Sequence, residues 1–220
     1  TIRLHKRFVH FSLLDVCPLP HPSRFRLAPR RPARRWPRCF PFPVAGMNVA
    51  ALFVRKTSHY KRLPGVDCYD SERDALTWCG GCPGVFHPPC RAWGKLSHLA
   101  KPRPGEMDLA RWSMSMVRRF GGVVEHPKTS RLWSESGCIG YGLRDQFGGL
   151  LLPVYQSWWG HRAPKETCFY VVGPLPELPE YQAPRMVQSV ESMSQASREA
   201  TPFDLAVWLV GVARSCGVPA

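Results

Sequence analysis

The spacing of apolar and polar residues predicts a chain of alternating strands and helices after Met47. Runs that are almost wholly apolar, such as residues 48–54, are typical of strands buried on both faces of a sheet. The predicted strands lie at residues 48–54, 66–70, 84–87, 123–125, 150–156 and 167–172.

Two further segments predict helices. In residues 106–120 the apolar side chains recur every three or four positions, and Gly121-Gly122 ends the pattern. The other helix begins after Thr201, a predicted N-cap, with Pro202 at its first position. This alternation predicts an α/β fold, a Rossmann-like three-layer sandwich with a mostly parallel sheet.

The folded part is predicted to be a single domain at residues 47–217. Within it, residues 174–198 are rich in Pro, Gln and Ser and predict a surface excursion. Residues 1–46 contain eight prolines, and ten Lys and Arg against the single acid Asp15. Proline at this density blocks helices and central strands, so we interpret this stretch as a disordered or non-native leader, such as translated upstream sequence. A basic nucleic-acid-binding arm and an Arg-rich transit peptide are the alternatives.

The composition narrows the class of protein. No apolar run reaches the roughly 18–20 residues that span a bilayer, so we expect no membrane segment. Nine cysteines, an odd number without a regular spacing, indicate a reducing compartment and predict a cytoplasmic protein. The net charge is +14, but residues 47–220 carry only 20 Lys and Arg against 15 Asp and Glu. Such a mildly basic domain is compatible with a polyanionic partner.

Ionisable side chains fall where the predicted strands end. Asp70 closes the second strand, His87 and Cys90 follow the third, and Glu125 and His126 close the next. Ligands of open α/β sheets bind at the carboxyl ends of the strands. The sequence therefore predicts a functional site at this edge of the sheet.

Cys90 is the candidate nucleophile. Two prolines precede it and restrict its backbone. His87, Arg91 and Lys95 are close to it in sequence, and nearby positive groups favour the thiolate, which is the nucleophilic form of cysteine. An inert structural cysteine is the alternative.

Several segments resemble the DNA cytosine-5 methyltransferases, and more specifically small phage and prophage proteins that are methyltransferase-like. They include His-Pro-Pro-Cys-Arg-Ala-Trp-Gly at residues 87–94 and Gly-Gly-Val-Val-Glu-His-Pro-Lys at residues 121–128. Trp-Gly-His-Arg-Ala-Pro-Lys at residues 159–165 resembles the family's basic block that holds DNA phosphate. The resemblance implies a minimal methyltransferase-like core, DNA as the partner and S-adenosylmethionine as the cofactor. It implies that Cys90 attacks the pyrimidine ring and that Glu125 binds it.

The resemblance also implies further site residues. Asp70 is the implied cofactor-binding acid, with an ordinary solvated acid as the alternative. Trp93 is a candidate for stacking on the target base, with a core aromatic as the alternative. The residues implied to contact substrate or DNA are His87, Arg91, Trp93, His126, Arg162 and Lys165. The family's glycine-rich cofactor loop has no counterpart here, because residues 55–62 contain no glycine.

Three other functions remain open. Cys79, Cys82, His87 and Cys90 have the spacing C-x2-C-x4-H-x2-C, and their residue types suit a zinc-binding module. A thymidylate-synthase-type enzyme also attacks a pyrimidine with a cysteine. A non-catalytic nucleic-acid-binding relative would keep the fold without the reaction.

Overall fold

Six strands form one mixed sheet in the computed structural model, which describes residues 48–217 except Leu96 and Arg185. The strand order is β2-β1-β3-β4-β6-β5. The strands are β1 (Val49–Leu52), β2 (Val66–Tyr69), β3 (Gly84–Phe86), β4 (Gly122–Pro127), β5 (Gly149–Tyr155) and β6 (Glu166–Val172). The predicted leader at residues 1–46 lies outside the described residues, as does Met47.

Four α-helices and four short 3-10 helices complete the described part of the chain. The α-helices are α1 (Glu106–Phe120), α2 (Leu132–Glu135), α3 (Gln195–Glu199) and α4 (Phe203–Ser215). The 3-10 helices span His59–Arg62, Ala75–Thr77, Ser97–Leu99 and Gln156–Trp159. None of these helices is both long enough and apolar enough to span a bilayer.

The sheet is parallel on one side and antiparallel on the other. β1 pairs in parallel with β2 and β3, and β3 pairs in parallel with β4. β6 runs antiparallel to both β4 and β5. The α/β prediction is therefore confirmed, whereas the prediction of a mostly parallel sheet is confirmed only in part, because the pairings of β6 are antiparallel. Residues 156–165, which join β5 to β6, are too few for the crossover of about a dozen residues that a parallel pair needs.

Each face of the sheet packs against a different helix. Val85 and Val123 share one hydrophobic cluster with Leu205 and Leu209 of α4. The residues next to them in the strands, Phe86 and Val124, belong to a second cluster with Met114 and Val117 of α1. Because successive strand residues point to opposite faces, strands covered on both sides must be apolar throughout.

The two long helices lie where the sequence predicts them. α1 ends at Phe120, and a Cβ on the following Gly122 would lie 2.0 Å from the carbonyl oxygen of Gly84, so only glycine fits there. α4 begins one residue later than predicted. Pro202 is its N-cap, with an extended backbone at ψ 150°, and Thr201 lies outside the helix.

In the predicted excursion at residues 174–198, the described residues before α3, which exclude Arg185, form no helix or strand. Two tryptophans fix it to the rest of the chain through indole N–H groups. Trp158 donates to the carbonyl oxygen of Gln182 at 2.9 Å, and Trp208 donates to that of Glu177 at 3.0 Å. The excursion belongs to the same compact unit as the sheet.

Candidate functional site

The candidate site lies at the carboxyl edge, which we define as the edge of the sheet where β1, β2, β3 and β4 end. β1 and β3 are neighbours, and β2 lies on the far side of β1 whereas β4 lies on the far side of β3. The chain connections therefore diverge between β1 and β3, which is where open α/β sheets form their binding crevice. A cavity of about 270 Å³ lies at this position.

The Cys90 turn follows β3 directly. The backbone N–H of His87 donates to the carbonyl oxygen of Leu52 at 3.0 Å, which extends the pairing of β3 with β1. The carbonyl oxygen of Cys90 accepts the backbone N–H groups of Trp93 at 2.9 Å and Gly94 at 3.1 Å. These bonds close the turn and leave Cys90 as an exposed, free cysteine at the carboxyl edge.

Glu125 in β4 is the centre of a buried hydrogen-bond network. Its Oε2 lies 3.1 Å from Nδ1 of His87, and its Oε1 accepts the side-chain amide of Gln156 at 3.0 Å and the hydroxyl of Thr167 at 3.2 Å. Nε2 of His87 lies 2.9 Å from the hydroxyl of Tyr60. With its proton on Nδ1, His87 donates to Glu125 and accepts from Tyr60, an assignment that the network itself supports.

The surrounding charges keep Glu125 ionised. Burial alone raises the pKa of this carboxyl, whose side chain is only 14% exposed. The positive charge of Lys165 and the hydrogen bond from His87 outweigh burial and lower its pKa to about 2. At neutral pH Glu125 is therefore a carboxylate that accepts hydrogen bonds and does not donate them.

The charge around Cys90 differs from the prediction. Burial of its sulfur by the surrounding protein raises the pKa of the thiol, and the negative charge of Glu125 raises it further. The cation that opposes this rise is Lys165, from the other side of the site. Arg91 turns away and pairs with Glu106 at 2.6 Å. The expectation that residues adjacent in sequence favour the thiolate is therefore wrong for Arg91.

Asp70 lies at the end of β2 as predicted, but its carboxylate is already bound. Oδ1 accepts the backbone N–H of Glu72 at 2.8 Å and that of Arg73 at 3.3 Å, while Oδ2 pairs with Lys61 at 2.5 Å. The hydrogen bond from Lys61, followed by that from Glu72, lowers the pKa of Asp70 to about 2. Asp70 is not among the residues that line the cavity.

The residues that line the cavity do not include the glycines of a glycine-rich cofactor loop. The guanidinium of Arg55 crosses to α3, where it donates to the carbonyl oxygen of Ala196 at 2.7 Å and lies 3.7 Å from Glu199. The volume of about 270 Å³ is close to the lower end of the roughly 300–1,000 Å³ that is usual for ligand pockets. Asp70, the implied cofactor-binding acid, is paired with Lys61 and does not line this cavity, so it does not fit that role here in the described arrangement.

Two residues that were predicted to contact substrate or DNA are buried inside the protein. Trp93 is 0% exposed and belongs to the hydrophobic core, with the guanidinium of Arg111 5.0 Å from its ring. Its assignment as a stacking residue is thus wrong for this conformation, and the core alternative applies. His126 is 1% exposed and its Nδ1 lies 2.7 Å from the hydroxyl of Ser130. Burial lowers the pKa of His126 to about 4, so the ring is uncharged at neutral pH.

Two predicted cations do remain accessible. Arg162 is exposed, and Lys165 is partly buried and acts electrostatically on both Glu125 and Cys90. Lys165 also has a left-handed backbone, with φ 40°, as has Phe53 after β1, with φ 60°. These are the two described non-glycine residues with positive φ, and both lie at the carboxyl edge. Strained backbone of this kind concentrates at functional sites.

The sequence did not identify Tyr60, Gln156 or Thr167 as site residues. All three are buried, and Tyr60 completes the network by its bond to His87. The available signal was the position of Gln156 and Thr167, which are polar residues at the ends of two apolar strand segments. Such residues are solvated more often than they are functional, so the signal is weak without tertiary contacts.

The zinc alternative gains no support from the described residues. Within them, no group of three or more His, Cys, Asp or Glu side chains is arranged to hold a metal ion. His87, one of the four proposed ligands, is bound to Tyr60 and Glu125 instead.

Comparison with known proteins identifies no family. No family model matches the chain, and no curated protein matches it significantly. The residues of the carboxyl edge are therefore the basis for any functional assignment.

Proposed function

We propose that this chain is a DNA-modifying enzyme of the cytosine-5 methyltransferase type, in which Cys90 attacks a pyrimidine ring. One observation carries the proposal. A free cysteine after β3, exposed as a residue although its sulfur is partly covered, and an ionised carboxylate in β4 lie at the same edge of the sheet, and a single cation, Lys165, acts on both. The sheet order, with β6 as its one reversed strand, is compatible with a reduced Rossmann-like core.

In the proposed reaction the Cys90 thiol loses its proton to solvent, and the thiolate sulfur bonds to C6 of the pyrimidine. The C5–C6 double bond breaks, its electron pair forms a C4–C5 double bond, and Lys165 stabilises the negative charge that develops at N3. Glu125 accepts the amino N–H of cytosine, for which Gln156 or Thr167 must release its Oε1. Once the carboxylate is bound to the base, its repulsion of the thiolate decreases, so substrate binding itself activates Cys90.

The base must leave a duplex to reach this site, since ring atoms inside the helix are inaccessible to a protein thiol. The proposed substrate is therefore a flipped or single-stranded cytosine. S-adenosylmethionine supplies a methyl group in the family that the chain resembles, but none of the steps above depends on it.

Exchange of the cytosine C5 hydrogen tests the proposal without a methyl donor. Addition of Cys90 to C6 lets C5 take a deuteron from D2O, and loss of the original proton followed by release of the thiolate leaves deuterated cytosine. We expect the wild-type chain to exchange this hydrogen in a single-stranded oligonucleotide, as measured by mass spectrometry. We expect Cys90→Ser to abolish exchange, and Cys138→Ser, which removes another free cysteine, to have no effect.

A second assay uses DNA that contains 5-fluorocytosine, with and without S-adenosylmethionine. A covalent adduct that requires both Cys90 and the donor would establish methyl transfer. Absence of both exchange and adduct in the wild type would refute the enzymatic proposal.

A non-catalytic nucleic-acid-binding relative is the second candidate. The observation in its favour is that the proposed reactive groups are already hydrogen-bonded or ion-paired, or have a pKa that disfavours the reactive form. Glu125 is fully hydrogen-bonded, the pKa of Cys90 is raised and Asp70 is paired with Lys61. DNA binding without exchange or adduct formation would support this function.

A further inference from the structure

A row of aromatic rings lies directly beside the Glu125 network. The turn after β5 presents Gln156 to the inside, where it binds Glu125, while Tyr155 and Trp158 on either side of it are only partly buried. Tyr181 from the excursion packs on Trp158 and is 76% exposed. We call Tyr155, Trp158 and Tyr181 the aromatic row.

The rings of the aromatic row are held in place. The Trp158 centroid lies 5.9 Å from that of Tyr155 and 5.9 Å from that of Tyr181, both in edge-to-face geometry. The Trp158 indole N–H donates to the carbonyl oxygen of Gln182, and the Tyr155 hydroxyl donates to Glu166 at 3.0 Å. A ring that is already ordered loses little conformational freedom when it binds a ligand.

Two cations, Arg162 and Lys165, lie in the chain between Trp158 and Tyr181. Arg162 and Lys165 form none of the ion pairs found among the described residues, whereas Lys128 is bound to Glu166 at 3.1 Å. Glu180 precedes Tyr181 and is exposed, so we expect phosphates to lie towards Arg162 and Lys165 and not towards Glu180. Aromatic rings combined with cations that form no ion pair are what proteins use to bind single-stranded nucleic acid.

From this arrangement we infer that the aromatic row stacks on unpaired bases that neighbour the base in the Glu125 site, with Tyr181 as the outer stacking ring. The inference rests on the proposed function for its partner. Extrusion of a base from a duplex leaves adjacent bases partly unstacked, and a rigid aromatic surface next to the site would replace the lost stacking.

The test compares two fluorescent oligonucleotides of equal length, one a mixed-sequence single strand and the other wholly abasic. Tyr181→Ala should weaken binding of the single strand by about 5- to 100-fold, the range expected for loss of one stacked base. It should leave binding of the abasic strand unchanged, because phosphate contacts remain. Tyr181→Trp, which keeps an aromatic ring at this position, should bind the single strand with base-dependent affinity as the wild type does.

Phe147→Ala is the matched control. Phe147 is also an exposed aromatic residue, but it precedes β5 at the opposite edge of the sheet. If Tyr181→Ala leaves both affinities unchanged or lowers both equally, the stacking inference is wrong. Its failure is separable from that of the proposed function, since hydrogen exchange at C5 depends on Cys90 and base-dependent binding does not.

Discussion

The pH dependence of the substitution of Glu125 by Gln measures the contribution of the Glu125 charge to stability. The amide has nearly the same shape as the carboxyl, and its oxygen can still accept a hydrogen bond from His87. The variant loses the negative charge that Lys165 and His87 stabilise in the folded state, and its NH2 group replaces the oxygen that accepts from Gln156 and Thr167. The loss of those hydrogen bonds does not depend on pH, so the pH-dependent part of the difference reports the charge. We therefore expect Glu125→Gln to lower the free energy of unfolding in a manner that depends on pH.

The magnitude follows from the pKa of Glu125. A fall from the ordinary value of 4.5 to about 2 in the folded protein corresponds to about 3 kcal/mol, at about 1.4 kcal/mol per tenfold change. Because the folded pKa is lowered, this stabilisation is complete above pH 4.5 and is lost as the pH falls towards 2. The charge should thus stabilise the wild type relative to the variant by about 3 kcal/mol at pH 7 and by roughly half as much at pH 3.

Urea denaturation at both pH values measures these differences. Glu72→Gln is the control, because Glu72 is an exposed carboxylate whose pair with Lys56 is solvated. Such surface pairs contribute about 0–1 kcal/mol, so this variant should differ little from the wild type at either pH. A difference for Glu125→Gln that is below about 1 kcal/mol at pH 7, or that is equal at both pH values, would refute the electrostatic explanation.

Two further predictions concern titration at the site. Lys165→Met removes the cation that lowers the pKa of Cys90, so alkylation of Cys90 by iodoacetamide at pH 8 should slow by about two- to fivefold, the effect of up to ~1 kcal/mol. Site-resolved mass spectrometry measures the alkylation rate, and the control variant Lys95→Met should not change it. An unchanged rate in Lys165→Met would contradict the assignment of Lys165 as the cation that acts on Cys90. We expect NMR to show that His126 of the folded protein titrates near pH 4. Because the same residue has its ordinary pKa of 6.5 in the unfolded chain, only the unfolded chain gains this proton between pH 6.5 and 4, and the folded state should become less stable over that range. A transition above pH 6 would show that its ring is solvated.

Much of the fold follows from local patterns. α1 has the predicted bounds, because its start, its apolar spacing and the glycines after Phe120 are all encoded within a few residues of each other. Six strands form at the predicted places for the same reason. The position of β6 between β4 and β5 could not be predicted locally, since strand pairing depends on contacts between distant segments.

The properties of the candidate site likewise fall into those that local sequence predicted and those that depend on tertiary contacts. Strand ends identified Cys90 and Glu125, and the structure places both at the carboxyl edge. Sequence proximity misled for Arg91, whose guanidinium binds the buried carboxylate of Glu106 and not the neighbouring thiol. An aromatic residue beside a reactive turn is equally consistent with core and with ligand contact, and only packing revealed that Trp93 is fully buried.

The sequence by itself determined which segments form strands and helices and which reactive residues follow them, because both depend on short-range spacing. The tertiary structure decided what those residues can do. Gln156 and Thr167 reach Glu125 across separations of 31 and 42 residues, and Lys165, just before β6, acts electrostatically on Cys90. The pKa of Cys90 and of Glu125 depends on these distant neighbours, since burial and charge act through space and not along the chain.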